Sequence, residues 1–347
     1  YIASKSGVKI VKQDTTISLE PNSPLTNGFA DIHVSENGSI WVGTGRITNK
    51  GIMSYIDGKW SSYSKENYPE IKSNTVVRIN ELKDGTIAGS TYGDGLILLK
   101  KQEDTTISMI DANNSPLIGY NGGESKFVIP GDVFEDDQNN IWIVNWGAFE
   151  TGPLFVIKQP NGNYETLYNC AGSNKRTMFK LTQDFNGTKW IGSSSPDVSF
   201  FGSVKPVGLA YYNEMGTISD KSDDICGMLT TSNSDLTSDY QTALVFDKQG
   251  TLWLGSVSGV SRVINPSAVL NNSKPIIINV RSMANQNVRE IVVDALDNKW
   301  IATANGLFVL DPDGEKILYN INTENSPLPT NILLSLEYDE NSGKVYI

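Results

Sequence analysis

The sequence predicts an all-β fold, a seven-bladed β-propeller with four antiparallel strands per blade. The first observation is a turn. Seven times an apolar run ends in a short Asx/Gly-type pair: Asn37-Gly38, Asp84-Gly85, Asn139-Asn140, Asn186-Gly187, Gln249-Gly250, Asp297-Asn298 and Ser342-Gly343. The second is the strand after each turn, opening at Trp41, Ile87, Trp142, Trp190, Trp253, Trp300 and Tyr346, spaced 46, 55, 48, 63, 47 and 46 residues apart. Such a period marks repeats that cannot bury their apolar faces alone and share a core by stacking. The third is that helical periodicity is hardly visible anywhere.

The unit Phe246 to Ser256 shows how each element is justified. An apolar strand ends, a tight two-residue turn with positive φ at its centre reverses the chain, and a second strand begins. Leu252, Trp253 and Leu254 are consecutively apolar, which predicts a strand covered on both faces. Trp fills the wedge that opens between blades away from the axis. Gly43, Gly89, Gly192 and Gly255 come just after it, where a neighbouring backbone approaches closely. Third strands start near Gly51, Gly95, Gly259 and Gly306, and a fourth, such as Lys316 to Asn320, closes the unit. Four strands in roughly 50 residues is the grammar of a propeller blade.

The repeat makes residues 1–347 one domain. Tyr346-Ile347 repeats what Tyr1-Ile2 provides, so the ring is expected to close in one composite blade. Its innermost strand would run from about Ile332 to Tyr338 and its outer three would come from the N-terminus. Tyr1 to Ser4 reads as the middle of a strand, which points to a window from a longer multidomain protein. No signal-peptide pattern precedes it.

With 39 acidic and 28 basic residues the net charge is −11. An acidic chain is a poor ligand for phosphate backbones, so no nucleic-acid partner is expected. No apolar run approaches the roughly 20 residues that cross a bilayer. Two cysteines, Cys170 and Cys226, are too few for a disulfide scaffold and read equally as one bond or two buried thiols. A single histidine, His33, leaves no multi-histidine zinc site and no Ser-His-Asp triad, and reads as a satisfied structural residue. Asp136-Asp137 lies before a hairpin and lacks a spaced calcium-ligand series. No catalytic residue, metal site or cofactor is predicted.

In a propeller the second-to-third-strand and between-blade connections emerge on one face. The enlarged segments 44–50, 112–131, 145–152, 193–206 and 220–239 all read as belonging there. Long loops in compact repeats carry function more often than chance. The candidate ligand-binding residues are Tyr120, Lys126, Trp146, Phe149, Glu150, Asp197, Phe200, Phe201, Lys205 and Asp224. Aromatic faces beside carboxylates and amides suit sugars; the alternative is that these aromatics pin loops to the ring.

A second pattern leads into the innermost strands: Asn22-Ser23-Pro24-Leu25, Asn114-Ser115-Pro116-Leu117, Asn233-Ser234-Asp235-Leu236 and Asn325-Ser326-Pro327-Leu328. Joined to the Trp-x-Gly strands, it resembles the two-component-regulator propeller repeat. The resemblance covers the whole chain and implies a non-catalytic, extracytoplasmic recognition or scaffold propeller, in the periplasm or on the surface of a Gram-negative-type bacterium. It implies a glycan or protein partner and further domains in the same polypeptide. One context it implies is a PorZ-like surface protein of type IX secretion. The other is the periplasmic carbohydrate-sensing domain of a hybrid two-component system. A polysaccharide-cleaving propeller is a third, less favoured alternative.

Overall fold

The structure, a computed structural model, describes residues 2–4, 7–11, 15–19, 22–119, 126–148, 152–168, 177–195 and 205–347. Strands β1 (Ile2–Ser4), β2 (Gly7–Val11) and β3 (Thr16–Leu19) form a three-stranded sheet. The first full blade is β4 (Asp31–Val34), β5 (Ile40–Gly43), β6 (Ile52–Ile56) and β7 (Lys59–Tyr63), with one helical turn, α1 (Gly45–Thr48), between β5 and β6. The second is β8 (Val76–Glu81), β9 (Ile87–Thr91), β10 (Leu96–Lys101) and β11 (Thr105–Ile110). The third is β12 (Ile129–Glu135), β13 (Ile141–Trp146), β14 (Phe155–Lys158) and β15 (Tyr164–Leu167). The fourth is β16 (Met178–Gln183), β17 (Lys189–Ser193), β18 (Leu209–Asn213) and β19 (Ile225–Leu229). The fifth is β20 (Gln241–Phe246), β21 (Leu252–Ser256), β22 (Gly259–Val263) and β23 (Ile277–Asn279). The sixth is β24 (Val288–Val293), β25 (Lys299–Thr303), β26 (Gly306–Leu310) and β27 (Ile317–Ile321), and a hairpin of β28 (Glu337–Asp339) and β29 (Lys344–Tyr346) comes after it.

The chain is therefore an all-β propeller, but with six four-stranded blades rather than seven among the described residues. The hairpin stands between the sixth and first blades, where β28 packs against β24 and β4. The expected composite blade is not formed, because β29 takes the second-strand position beside β28 and β1–β3 pair only with each other. Tyr1-Ile2 and Tyr346-Ile347 are near copies, and one strand edge accepts one of them. The hairpin is tied across the seam by Ser335 Oγ donating to Asp31 (2.9 Å) and Asn341 Nδ2 donating to the Glu36 carbonyl (2.8 Å).

Apolar clusters lie between successive sheets, as the consecutive apolar strands require. Trp142, Phe155, Ile191 and Ala210 join the third blade to the fourth, and Trp253, Val288, Ile291 and Ile301 join the fifth to the sixth. Leu252, Trp253 and Leu254 are buried in sequence. The glycines after the Trp positions are tight as expected: a Cβ on Gly43 would stand 2.8 Å from the Val76 carbonyl, and one on Gly255 2.5 Å from Val288.

The turns differ from expectation. Ser35 N bonds Ser39 O and Gly38 N bonds Ser35 O, so the loop is a type I turn followed by one left-handed residue, with Gly38 at φ 79°. Only that last residue needs positive φ, which is why Asn139 or Asp297 serves in its place. A recurring acid shapes these loops. Asp136, Asp247 and Asp294 accept turn amides on one oxygen and the indole N–H of the Trp six residues on with the other, at 2.8, 2.8 and 2.9 Å. Asp136 is thus a hairpin cap.

The Asn-Ser-x-Leu segments are explained by one network made three times. Asn114, Asn233 and Asn325 each accept the amide three residues back (2.8, 2.8 and 2.9 Å) and donate to the carbonyl five back (2.8, 3.0 and 2.8 Å). The next residue's Ser hydroxyl donates to the carbonyl four back, at 2.6 Å each time. Asn22 departs from this pattern, bonding instead to Gly58 O and Trp60 N.

Candidate functional site

Strand direction alternates within each blade, so second-to-third-strand and between-blade connections share one face. That face carries a cavity of about 190 Å³ at the mouth of the central axis. Its construction begins with a backbone irregularity. In β8, β12, β16, β20 and β24 the register slips at the strand's start. Such bulges bend a strand and re-aim its side chains. The displaced residues Val77, Phe179, Thr242 and Arg289 all line the cavity.

Beneath them lies a ring of charges. Asp31, Asp132, Lys180 and Glu290 each stand ten residues before the Trp of their blade. Arg78 stands ten before Ala88, which pairs with Asn80 as Trp300 pairs with Val292 and so, rather than the expected Ile87, takes the Trp position of the second blade. Arg78 bonds Asp132, Asp31 Oδ1 (2.9 Å) and, across the axis, Glu290 Oε2 (3.2 Å). Lys180 Nζ also meets Glu290 Oε2, at 2.9 Å. The second oxygens of Asp31 and Asp132 accept the amides of Ile79 (2.8 Å) and Leu181 (2.9 Å) in the next blade. Burial works against the Arg78 charge, but the surrounding carboxylates outweigh it and hold its pKa well above the ordinary value. The ring ties blades together across the axis, and four of its members, Asp31, Arg78, Lys180 and Glu290, line the cavity floor.

The wall comes from the loops. The α1 turn supplies Arg46, Ile47 and Thr48; the fourth blade supplies Ser194 and Ser195; the segment before β28 supplies Leu334. Arg46 lies over the Tyr92 ring, 4.4 Å from its centroid, and Phe127 meets Tyr92 edge-on at 5.3 Å.

The sequence-predicted residues divide. Trp146 is buried at 5 % exposure among Val77, Ile129 and Phe179, and its indole donates to the Ser194 carbonyl at 2.9 Å. It supports the cavity wall from behind. Lys126, exposed, bonds Asn113, and the exposed Lys205 accepts from Thr177 through its carbonyl at 3.3 Å. Asp224 is on the opposite face. β19 starts at Ile225, so residues 220–224 belong to the third-to-fourth-strand connection, and Asp224 accepts from Tyr212 Oη. Tyr120, Phe149, Glu150, Asp197, Phe200 and Phe201 lie outside the described residues, as does Cys170; Cys226 is disulfide-bonded. His33 is satisfied as expected, between Glu81 and Glu337. Among the described residues no three His, Cys, Asp or Glu side chains are grouped to hold a metal ion, and no helix is long and apolar enough to cross a membrane.

No protein-family model matches the chain. No curated protein matches its sequence. Solved structures do. PorZ, a bacterial surface component of the type-IX secretion system of Porphyromonas gingivalis, superposes with TM-score 0.80 at 22% identity over 98% of this chain. The chain spans about half of PorZ, 48% of its length. Virginiamycin B lyase from Staphylococcus aureus, solved as a catalytically inactive histidine-to-alanine variant, superposes with TM-score 0.61 at 14% identity, covering 91% of each chain. The extracellular domain of BT4673 from B. thetaiotaomicron aligns over 94% of this chain and 53% of its own, at 16% identity and TM-score 0.44. What the first two share with this chain is the propeller fold. That fold carries both a secretion component and a lyase, so function has to be argued from the site.

Proposed function

We propose that the chain is a non-catalytic, extracytoplasmic recognition propeller that takes a glycan or protein partner at the axial mouth on its loop-rich face. The carrying observation is the cavity itself: bulge residues of four blades, Val77, Phe179, Thr242 and Arg289, open around the axis beneath enlarged loops. Concave sites with a few polar groups set in apolar walls are the usual form of ligand pockets. Tyr120, Phe149, Glu150, Asp197, Phe200 and Phe201, with Lys126 and Lys205, are proposed to contribute to the same recognition. The carboxylates of the floor are committed to Arg78 and Lys180, which leaves none of them free to act as acid or base and supports binding without turnover. The likeness of fold to PorZ and the repeated Asn-Ser-x-Leu segments support a place at the bacterial surface in type IX secretion, within a longer polypeptide.

Blocking the mouth tests this. Ile47→Trp, at the exposed cavity wall, is expected to abolish binding of whichever glycan-array or peptide-array members the native chain retains, with unfolding unchanged. Binding that survives the block would place recognition elsewhere.

A further inference from the structure

Between the sixth and first blades the ring is joined by two strands instead of four. β28 and β29 pair only with each other, and a two-stranded hairpin alone is at best marginally stable in water. Named contacts hold it in place. Leu333 and Leu336, 4 % and 2 % exposed, pack against Ala302 and Leu307 of the sixth blade. The Leu333 amide donates to the Thr303 carbonyl (3.1 Å), Ser335 Oγ to Asp31 (2.9 Å) and Asn341 Nδ2 to the Glu36 carbonyl (2.8 Å). Glu337 meets His33 Nδ1 at 3.1 Å. Trp300, packed against the hairpin segment, is half-buried, whereas Trp142, Trp190 and Trp253, each packed against a full blade, are 0 % exposed. Before the hairpin, Asn331 is fixed to the sixth-blade side, its carbonyl accepting from Gly306 N and its side chain from Thr323 N, both at 2.8 Å.

We infer that residues 332–347 form a clasp that opens as a unit while the six blades stay folded, held shut by the His33–Glu337 bridge. Units with thin packing open below the free energy of global unfolding, and Asn331 marks the hinge. Opening reaches the cavity, because Leu334 lines it and Ser335 bonds Asp31 on its floor. The state of the clasp therefore sets the width of the mouth; that consequence rests on the recognition role proposed above, and the opening itself does not. Control by pH follows from what faces His33: Glu81 from β8 and Glu337 from β28. Arg78, also on β8, is engaged by Asp31, Asp132 and Glu290, and β5 carries no titratable group. Burial works against the imidazolium, yet with the clasp closed both glutamates raise its pKa to about 9. Opening takes Glu337 away and leaves Glu81. The proton's preference for the closed state is thus complete below the open-state pKa and is lost as pH rises through about 9.

Native-state hydrogen exchange of the whole chain, without ligand and at increasing sub-denaturing urea, tests this. Near pH 6 the Leu333 amide and the paired amides of β28 and β29 are expected to share one opening, more populated than global unfolding and only weakly dependent on urea. The amides of β24 and β25 should exchange only through global unfolding. His33→Gln should raise the shared open population about tenfold near pH 6, since opening removes one of the two glutamates. With rates divided by their intrinsic values, that factor should shrink toward one as pH rises through about 9. Glu337→Gln, which keeps a hydrogen bond without the charge, gives the same comparison if His33→Gln fails to fold. Exchange of the hairpin only together with the blades overturns the inference, as does fraying of β29 while Leu333 and β28 stay protected. A variant effect equal near pH 6 and above pH 9 overturns it too. No ligand enters the measurement, so its failure leaves the recognition role standing.

Discussion

The seam where the hairpin meets the ring is expected to weaken as pH rises. His33 on β4 lies between Glu81 on β8 and Glu337 on β28, with Nε2 2.9 Å and Nδ1 3.1 Å from their carboxylate oxygens. Burial works against the imidazolium, but hydrogen bonds and charge from the two glutamates overcome it and raise the pKa from 6.5 to about 9. A group with a raised folded pKa contributes stability that is complete below its unfolded value and is lost as pH rises through the folded one. At about 1.4 kcal/mol per tenfold change in proton affinity, the rise from 6.5 to about 9 corresponds to roughly 3 kcal/mol. His33 retains 21 % of its side-chain exposure, and solvent screening brings this to about 2 kcal/mol.

His33→Gln keeps an amide that reaches a glutamate but removes the charge. Urea unfolding of both proteins should show a gap of about 2 kcal/mol near pH 6, shrinking toward zero above about pH 9. On the acid side the gap should narrow too. Burial raises the Glu81 pKa, but hydrogen bonds and charge from His33, with Ser35, lower it overall, so its share is lost as pH falls through that depressed value. A gap constant from pH 6 to pH 10 would refute the electrostatic account of the seam.

Three further outcomes are expected. Trp253→Ala removes a fully buried indole that bonds Asp247 and lies 4.7 Å from Lys299 Nζ, and should cost about 3–5 kcal/mol in chemical unfolding. Arg78→Met leaves Asp31, Asp132 and Glu290 without their shared cation. It should destabilise by roughly 3–5 kcal/mol, whereas Lys83→Met, at an exposed pair with Asp137, should fall within about 1 kcal/mol of native. Asn233→Ala removes two side-chain hydrogen bonds, accepted from Thr230 N and donated to the Met228 carbonyl, in the fourth-to-fifth-blade connection and should cost about 1–2 kcal/mol, read as a shift in the urea midpoint.

The fold is readable in the sequence because its signal is periodic. Consecutive apolar residues such as Leu252 to Leu254 specify a strand covered on both faces, and Gly255 specifies close approach. Near copies mislead where one position has two claimants, as at Tyr1-Ile2 and Tyr346-Ile347. Trp146 resembles an exposed loop aromatic in sequence, yet it ends β13 and turns inward. Asp224 belongs to the face opposite the one its sequence suggests, because β19, Ile225–Leu229, ends in Cys-Gly-Met-Leu, a run that carries little strand signal.

The cavity itself is hidden from sequence, since β-bulges leave no period. One signal is present: Asp31, Arg78, Asp132, Lys180 and Glu290 recur at a fixed phase inside apolar strands. Charges repeated in phase mark an axis, where side chains from all blades converge. The buried Lys189 and Lys299, 1 % and 0 % exposed, are equally readable, each directly before its Trp. Lys189 lies 4.2 Å from the Trp142 ring and Lys299 4.7 Å from that of Trp253, each in the preceding blade, so the charge is held by an aromatic face as well as by carboxylates.

The claim that recognition occurs at the axial mouth is tested most directly by hydrogen–deuterium exchange with and without a bound array ligand. Protection is expected at Gly28 to Asp31, at Arg46 to Thr48, at Ser194-Ser195 and around Arg289, the segments that line the cavity. Protection confined to the opposite face, at the hairpin turns around Asn37-Gly38, Asn186-Gly187 and Asp297-Asn298, would contradict it.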